Sequence, residues 1–151
     1  MITRTTETAF RILIVLASLP AQRVVPLGVL HASLGGSQTY LAKVTAALTR
    51  AQIVRSSRGS LGGLVLARQP QEISLLDVLT AIQGMPSPAC CATVSEGTVD
   101  ICGYHQVMGE VHQSILDTFR SRSVADLLNK PCGISPDGSE HLDCRMHLQK
   151  K

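Results

Sequence analysis

Tryptophan is absent, and two Tyr and two Phe hold aromatic content to 3% of the 151 residues. A core with so few large rings must be built from Leu, Val, Ile and Ala, which favours small helical packing over an aromatic-rich β-sandwich. Long hydrophobic runs are missing too, since no stretch reaches the roughly 18 apolar residues of a membrane helix. The nearest approach, Ile12-Leu13-Ile14-Val15-Leu16-Ala17 behind Arg4 and Arg11, has the outline of a secretory signal. Glu7 and Arg11 interrupt the approach and the apolar part is short, so a buried helix is expected there instead. Acid is scarce in the first half. Residues 1 to 70 carry eight Lys or Arg and one acid, a balance of +7, whereas residues 71 to 151 carry six and ten, a balance of −4. A basic half suits a polyanion such as DNA, because attraction to phosphate is long-ranged and independent of sequence. Cysteine is lacking until Cys90; Cys90, Cys91, Cys102, Cys132 and Cys144 all follow. An odd number confined to one half fits a cytoplasmic thiol or metal site better than a secreted disulfide framework. No nucleophile, base and orienting group stand in a recognisable catalytic arrangement, which argues against an enzyme.

What is present is 44% hydrophobic residues, enough to exclude a fully disordered chain and to expect one globular unit. Thr5 to Ser18 reads as a helix capped by Thr5 or Thr6, with Glu7 in its first turn and Pro20 beyond its end. Pro26 suits the first turn of a second helix ending near Leu34, stopped by Gly35-Gly36. Ser37 caps a third from about Gln38 to Arg50, in which Leu41, Val44, Ala47 and Leu48 recur at three- and four-residue steps. Two helices joined by a short Gly turn form a helix-turn-helix, whose second helix enters the major groove. Ile53 to Ser57 and Leu64 to Arg68 are strand-like around the turn Arg58-Gly59-Ser60-Leu61-Gly62-Gly63. The expected fold is therefore mainly α with a small β-hairpin wing, a winged helix-turn-helix. Ser74 and Asp77 open a further helix to Gln83, and an irregular stretch with Cys90, Cys91 and Cys102 follows. Gly103 to Arg122 is a long helix whose Val107, Val111, Ile115 and Phe119 make one apolar stripe. Its simplest use is packing on the same helix of a second protomer. Ser123 to Asn129 forms a last short helix, and residues from Lys130 on read as a poorly ordered tail. The division expected is 1–84 winged helix-turn-helix, 85–102 sensor loop, 103–130 dimerisation region and 131–151 tail.

Tyr40-Leu41-Ala42-Lys43, Ile53-Val54-Arg55-Ser56 with the wing Gly59-Ser60-Leu61-Gly62-Gly63, and Ile73-Ser74-Leu75-Leu76-Asp77-Val78 resemble the Rrf-two family of bacterial transcription regulators, of the IscR, NsrR and CymR type. The resemblance covers roughly residues 1 to 130 and implies dimeric winged-helix proteins that bind operator DNA, many controlled by an iron-sulfur cluster.

On the third helix the face offered to DNA is Ser37, Gln38, Thr39, Tyr40 and Lys43. Gln reads adenine bidentately, while Ser, Thr, Tyr and Lys mostly hold phosphates. Arg55 lies on the hairpin and Arg58 at its tip, where the minor groove attracts arginine. The alternative is that Tyr40 packs on the core and the charges form a solvated face.

For the cluster, the family's usual pattern has three cysteines, and this chain departs from it. Cys102 matches the last and Cys91 or Cys90 the first, but the middle position falls near Glu96. The resemblance implies further ligands: Glu7 from the partner's first helix, a His three residues after the last cysteine, which is His105, and a His in the second helix, where His31 lies about one turn off. A two-cysteine [2Fe-2S] site completed by Glu7 and a His is the outcome, and mixed ligation of this kind suits a redox sensor. Against it stand plainer readings. Glu7 can be a first-turn helix acid, and His31 and His105 can be surface or packing residues. Cys91, Cys102 and His105 could hold zinc, although no Cys-x-x-Cys pair completes a structural site. A disulfide between Cys91 and Cys102, or control by a partner protein, would serve a cluster-free member. Cys132 and Cys144 are assigned no role.

Overall fold

The computed structural model describes residues 2–20, 23–57, 62–85 and 102–128, with the backbone alone at 93–95 and 98–100. The chain runs α1 (Arg4–Ala17), α2 (Leu27–Leu34), α3 (Gln38–Arg50), β1 (Val54–Ser57), β2 (Gly63–Leu66), a 3-10 turn (Pro70–Glu72), α4 (Leu75–Gln83), β3 (Thr93–Ser95), β4 (Thr98–Asp100), α5 (Gly103–Ser121) and α6 (Val124–Leu128).

Each start has a local cause. α1 begins earlier than expected: Thr3, not Thr5 or Thr6, is its cap, accepting from the Thr6 amide. Thr6 is instead fully buried, and its hydroxyl donates to Gln83 Oε1 at 2.6 Å, a bond across the fold that no local pattern reveals. Pro26 immediately precedes α2, and Gly35, at φ 68°, ends it in the left-handed region that glycine adopts without strain. Ser37 caps α3 as expected. Ser74 and Asp77 form a complete capping box on α4, each side chain accepting from the other's amide.

The core is aliphatic. Ile12 and Leu13 of α1, Leu30 of α2, Leu41 and Leu48 of α3, and Ile53, Ile73, Val78 and Val124 are sealed from solvent. The wing is anchored to this body. β1 and β2 pair antiparallel with Val54 opposite Leu66 and Ser57 opposite Gly63. Val25 then bonds Leu64 on the other edge of β2, amide to carbonyl in both directions at 2.8 Å, so the order across the sheet is Val25, β2, β1. A Cβ on Gly63 would fall 2.3 Å from the Val25 carbonyl oxygen, so that glycine permits the approach. The hairpin tip, residues 58–61, lies outside the described residues.

The stretch after α4, expected to be irregular, contains a second short hairpin, with Val94 opposite Val99. α5 is fixed at its C-terminal end. Leu75 donates to Arg122 O and Val124 to Ile73 O, each at 2.9 Å, and the chain's two phenylalanines, Phe10 and Phe119, meet with ring centres 6.1 Å apart. From Phe119 back to Cys102 is about 26 Å of helix, so the Cys102 end stands far from that anchor. No helix among the described residues is long and apolar enough to cross a membrane.

Candidate nucleic-acid interface and metal centre

α3 turns Leu41, Val44, Thr45 and Leu48 inward, which leaves Gln38, Thr39, Ala42, Lys43, Ala46 and Arg50 exposed. Ser37 is exposed as well, although its Oγ is occupied by the Tyr40 amide at 3.1 Å. The outward face thus alternates polar groups with alanines, whose small side chains let the helix approach a groove closely. Arg50 extends it by a residue that the spacing argument did not single out, though four-residue steps from Ala42 through Ala46 lead to it.

Tyr40 differs from its neighbours on this helix. Its ring is half-buried against the core, and its hydroxyl lies 3.2 Å from Thr8 Oγ1 on α1. On the wing, Arg55 is exposed. Arg58 lies outside the described residues. Arg68, just beyond β2, stands 3.5 Å from Asp77 of α4, which offsets its charge.

The residues matched to the cluster are distributed as follows. Cys102 is the residue capping α5 and is exposed, and its Sγ is 3.0 Å from His105 Nδ1. The His105 ring meets Tyr104 edge-on, centres 5.1 Å apart. Three residues apart on a first turn, thiol and imidazole share one face of the helix. Among the described residues no third His, Cys, Asp or Glu joins them to form a metal-holding group. Glu7 is half-buried on α1, and Arg11 one turn on holds its carboxylate at 2.6 Å. That pairing is an i, i+4 relation visible in the sequence, but it was not drawn from it. His31 is half-buried in the last turn of α2. Cys90, Cys91, Cys132 and Cys144 lie outside the described residues. The sulfur and nitrogen that do converge are donors that iron and zinc both accept, so the residues present fit two positions of a mixed-ligand centre.

The sequence profile of the Rrf2 family, described as an iron-dependent transcriptional regulator, matches residues 2–130. The chain belongs to the Rrf2 family. As an Rrf2 member it is a DNA-binding regulator of transcription and not an enzyme. Solved structures of the same architecture include IscR of T. potens, with a TM-score of 0.70 and 26% identity over 85% of this chain and 86% of that one. CymR of B. subtilis, the global cysteine regulator of that organism, gives a TM-score of 0.70 at 22% identity, covering 85% of this chain and 96% of its own. The oxidised form of CymR from Staphylococcus aureus gives 0.71 at 21% identity, covering 87% and 98%. The two-strand wing behind α3 in this Rrf2 chain is the winged-helix arrangement expected from its sequence.

Proposed function

We propose that this Rrf2 regulator works in the cytoplasm as a homodimer whose affinity for a palindromic operator is set by an iron-sulfur cluster, of the [2Fe-2S] type, held beside α5. The observation that carries the reading is the convergence of Cys102 Sγ and His105 Nδ1 to 3.0 Å at the outer end of that helix. The family's description as iron-dependent supports it. Cys102 and His105 supply two donors, Cys91 or Cys90 a third from the preceding sensor loop, 85–102, and Glu7 of a second copy the fourth, with His31 as the other candidate. Glu7 must first leave Arg11, so ligation has a built-in competitor. When bound, the group supplies one-electron and nitric-oxide-sensitive chemistry that makes its ligand set state-dependent.

The dimer follows from α5, in region 103–130. Tyr104, Val107 and Val111 are 69%, 58% and 41% exposed, and Val107, Val111, Ile115 and Phe119 line an open furrow of about 470 Å³. A second α5 laid on that stripe sets two winged units, each within 1–84, side by side. Their α3 helices then offer Gln38 to base edges, Ser37, Thr39 and Lys43 to phosphates, and the wing Arg55 and Arg58 to the flanking backbone and minor groove. A signal shifts DNA affinity only if it favours one spacing of these helices over another.

The test is an absorption spectrum with iron and acid-labile sulfide assays on protein purified without oxygen. Visible bands with about two irons and two sulfides per site, lost in Cys102→Ser and weakened in His105→Ala, are the expected result. A colourless, iron-free protein that binds DNA specifically would overturn the cluster and transfer control to a Cys91/Cys102 thiol switch or a protein partner.

A further inference from the structure

Tyr40 sits among the residues expected to touch DNA, yet its hydroxyl has another use. Thr8 Oγ1 is 2.9 Å from the Arg4 carbonyl oxygen, which can only accept, so the single Thr8 hydroxyl proton goes there. The 3.2 Å contact between Thr8 Oγ1 and Tyr40 OH must then be donated by Tyr40. Its one phenolic proton is committed, and a DNA phosphate, which offers only lone pairs, has none left to accept.

The ring is half-buried against the core, and the Tyr40 amide donates to Ser37 Oγ at 3.1 Å. On the other side, Thr8 follows Glu7 directly along α1. The start of α1 is also clamped to α4, because Thr3 N and Thr6 Oγ1 both donate to Gln83 Oε1, at 3.0 and 2.6 Å. The first two turns of α1 therefore contact α4 through Gln83 and the first turn of α3 through Tyr40, and carry Glu7 between them.

We infer that Tyr40 is a positioning residue: its bond to Thr8 ties the first turn of the DNA-reading helix to α1, so that a displacement of α1 at Glu7 is felt at Ser37 and Gln38. The tie itself stands on the contacts above; its use in sensing rests on the reading that Glu7 is a ligand.

Two variants, Tyr40→Phe and Thr8→Val, each remove one hydroxyl and keep the side chain's shape, and they are made singly and together in the whole chain. In cluster-free protein without DNA, hydrogen exchange of the Tyr40 and Leu41 amides, both bonded to Ser37, should quicken about fivefold in either single variant, the worth of one hydrogen bond. The double variant should add little more, because both changes remove one interaction. Unchanged exchange in Thr8→Val would overturn the tie, whatever the cluster does. Operator affinity is then compared between cluster-loaded and cluster-free protein. Tyr40→Phe should shrink the ratio of the two affinities about fivefold toward one, with the visible spectrum and the salt slope unaltered. An equal loss in both forms would mean that Tyr40 holds a phosphate directly and would overturn the inference. Wild-type protein whose two forms bind alike would sink the cluster reading instead, and the exchange result alone would then decide the tie.

Discussion

α1 and α5 are both amphipathic, and the fold treats them in opposite ways. Six of the 14 residues of α1 are buried, among them Ile12 and Leu13 with no exposure at all. None of the 19 residues of α5 is buried, although it carries Val107, Val111, Ile115 and Phe119 in one stripe. Val107 and Val111 on that stripe are exposed, whereas Phe119 at its far end packs against the core. The two helices meet at Phe10 and Phe119, toward the C-terminal end of α5. Burial within the chain stabilises the first at any concentration. In the homodimer proposed above, burial of the second would depend on how much protein is present.

Substitutions can break this contrast, and the largest effect belongs in the core. Leu13→Ala should lower the unfolding free energy by about 3 kcal/mol, read from urea denaturation, because a sealed leucine leaves a cavity. Val111→Glu should leave that denaturation curve nearly unmoved when measured on the monomer, while sedimentation shows the dimer dissociating at concentrations where wild type stays paired. A monomer as destabilised as Leu13→Ala would show that α5 is core after all. Gly63→Ala should cost about 2 kcal/mol, since its methyl would meet the Val25 carbonyl and the sheet must part there. Nuclear magnetic resonance of Val25 and Leu64 amides would register the loss of their paired bonds. The smallest effect is at α6. The Ser123 amide, at 2.7 Å, and its hydroxyl, at 2.9 Å, hold the Asp126 carboxyl below its ordinary value of 3.8. A depressed carboxyl contributes stability in full above its ordinary value and loses it as the pH falls. Asp126→Asn should therefore melt slightly earlier than wild type at pH 7, and the two Tm values should converge as the pH falls through the lowered carboxyl range.

The parts legible in the sequence were those with local causes. α3 runs from Gln38 to Arg50 as its spacing implies, because Ser37 caps it and its own leucines bury it. The Ser74 and Asp77 box likewise lies within four residues. Misplaced or unseen features depend on residues far apart. Thr6 resembles a cap, but Gln83, 77 positions away, draws it inward. Val25 bridges to the free edge of β2 only because Leu64 folds back onto it. In the candidate site the same rule holds. Cys102 and His105 were paired by the family resemblance, and the first turn of α5 brings them together. For Tyr40 the outward face and packing on the core were both open, because position on a helix does not reveal a hydroxyl on another helix.

The order Val25, β2, β1 has a consequence for the protein's behaviour in a crowded cell. Among the described residues the outer edge of β1 faces no further strand. An open edge can template pairing with other chains and lead to aggregates, and short, charged strands discourage this. β1 is four residues long, and Arg55, Ser56 and Ser57 on it are all exposed. An arginine assigned to nucleic acid thus also keeps foreign strands away, and replacing it with a β-branched apolar residue should lower solubility even where DNA is absent.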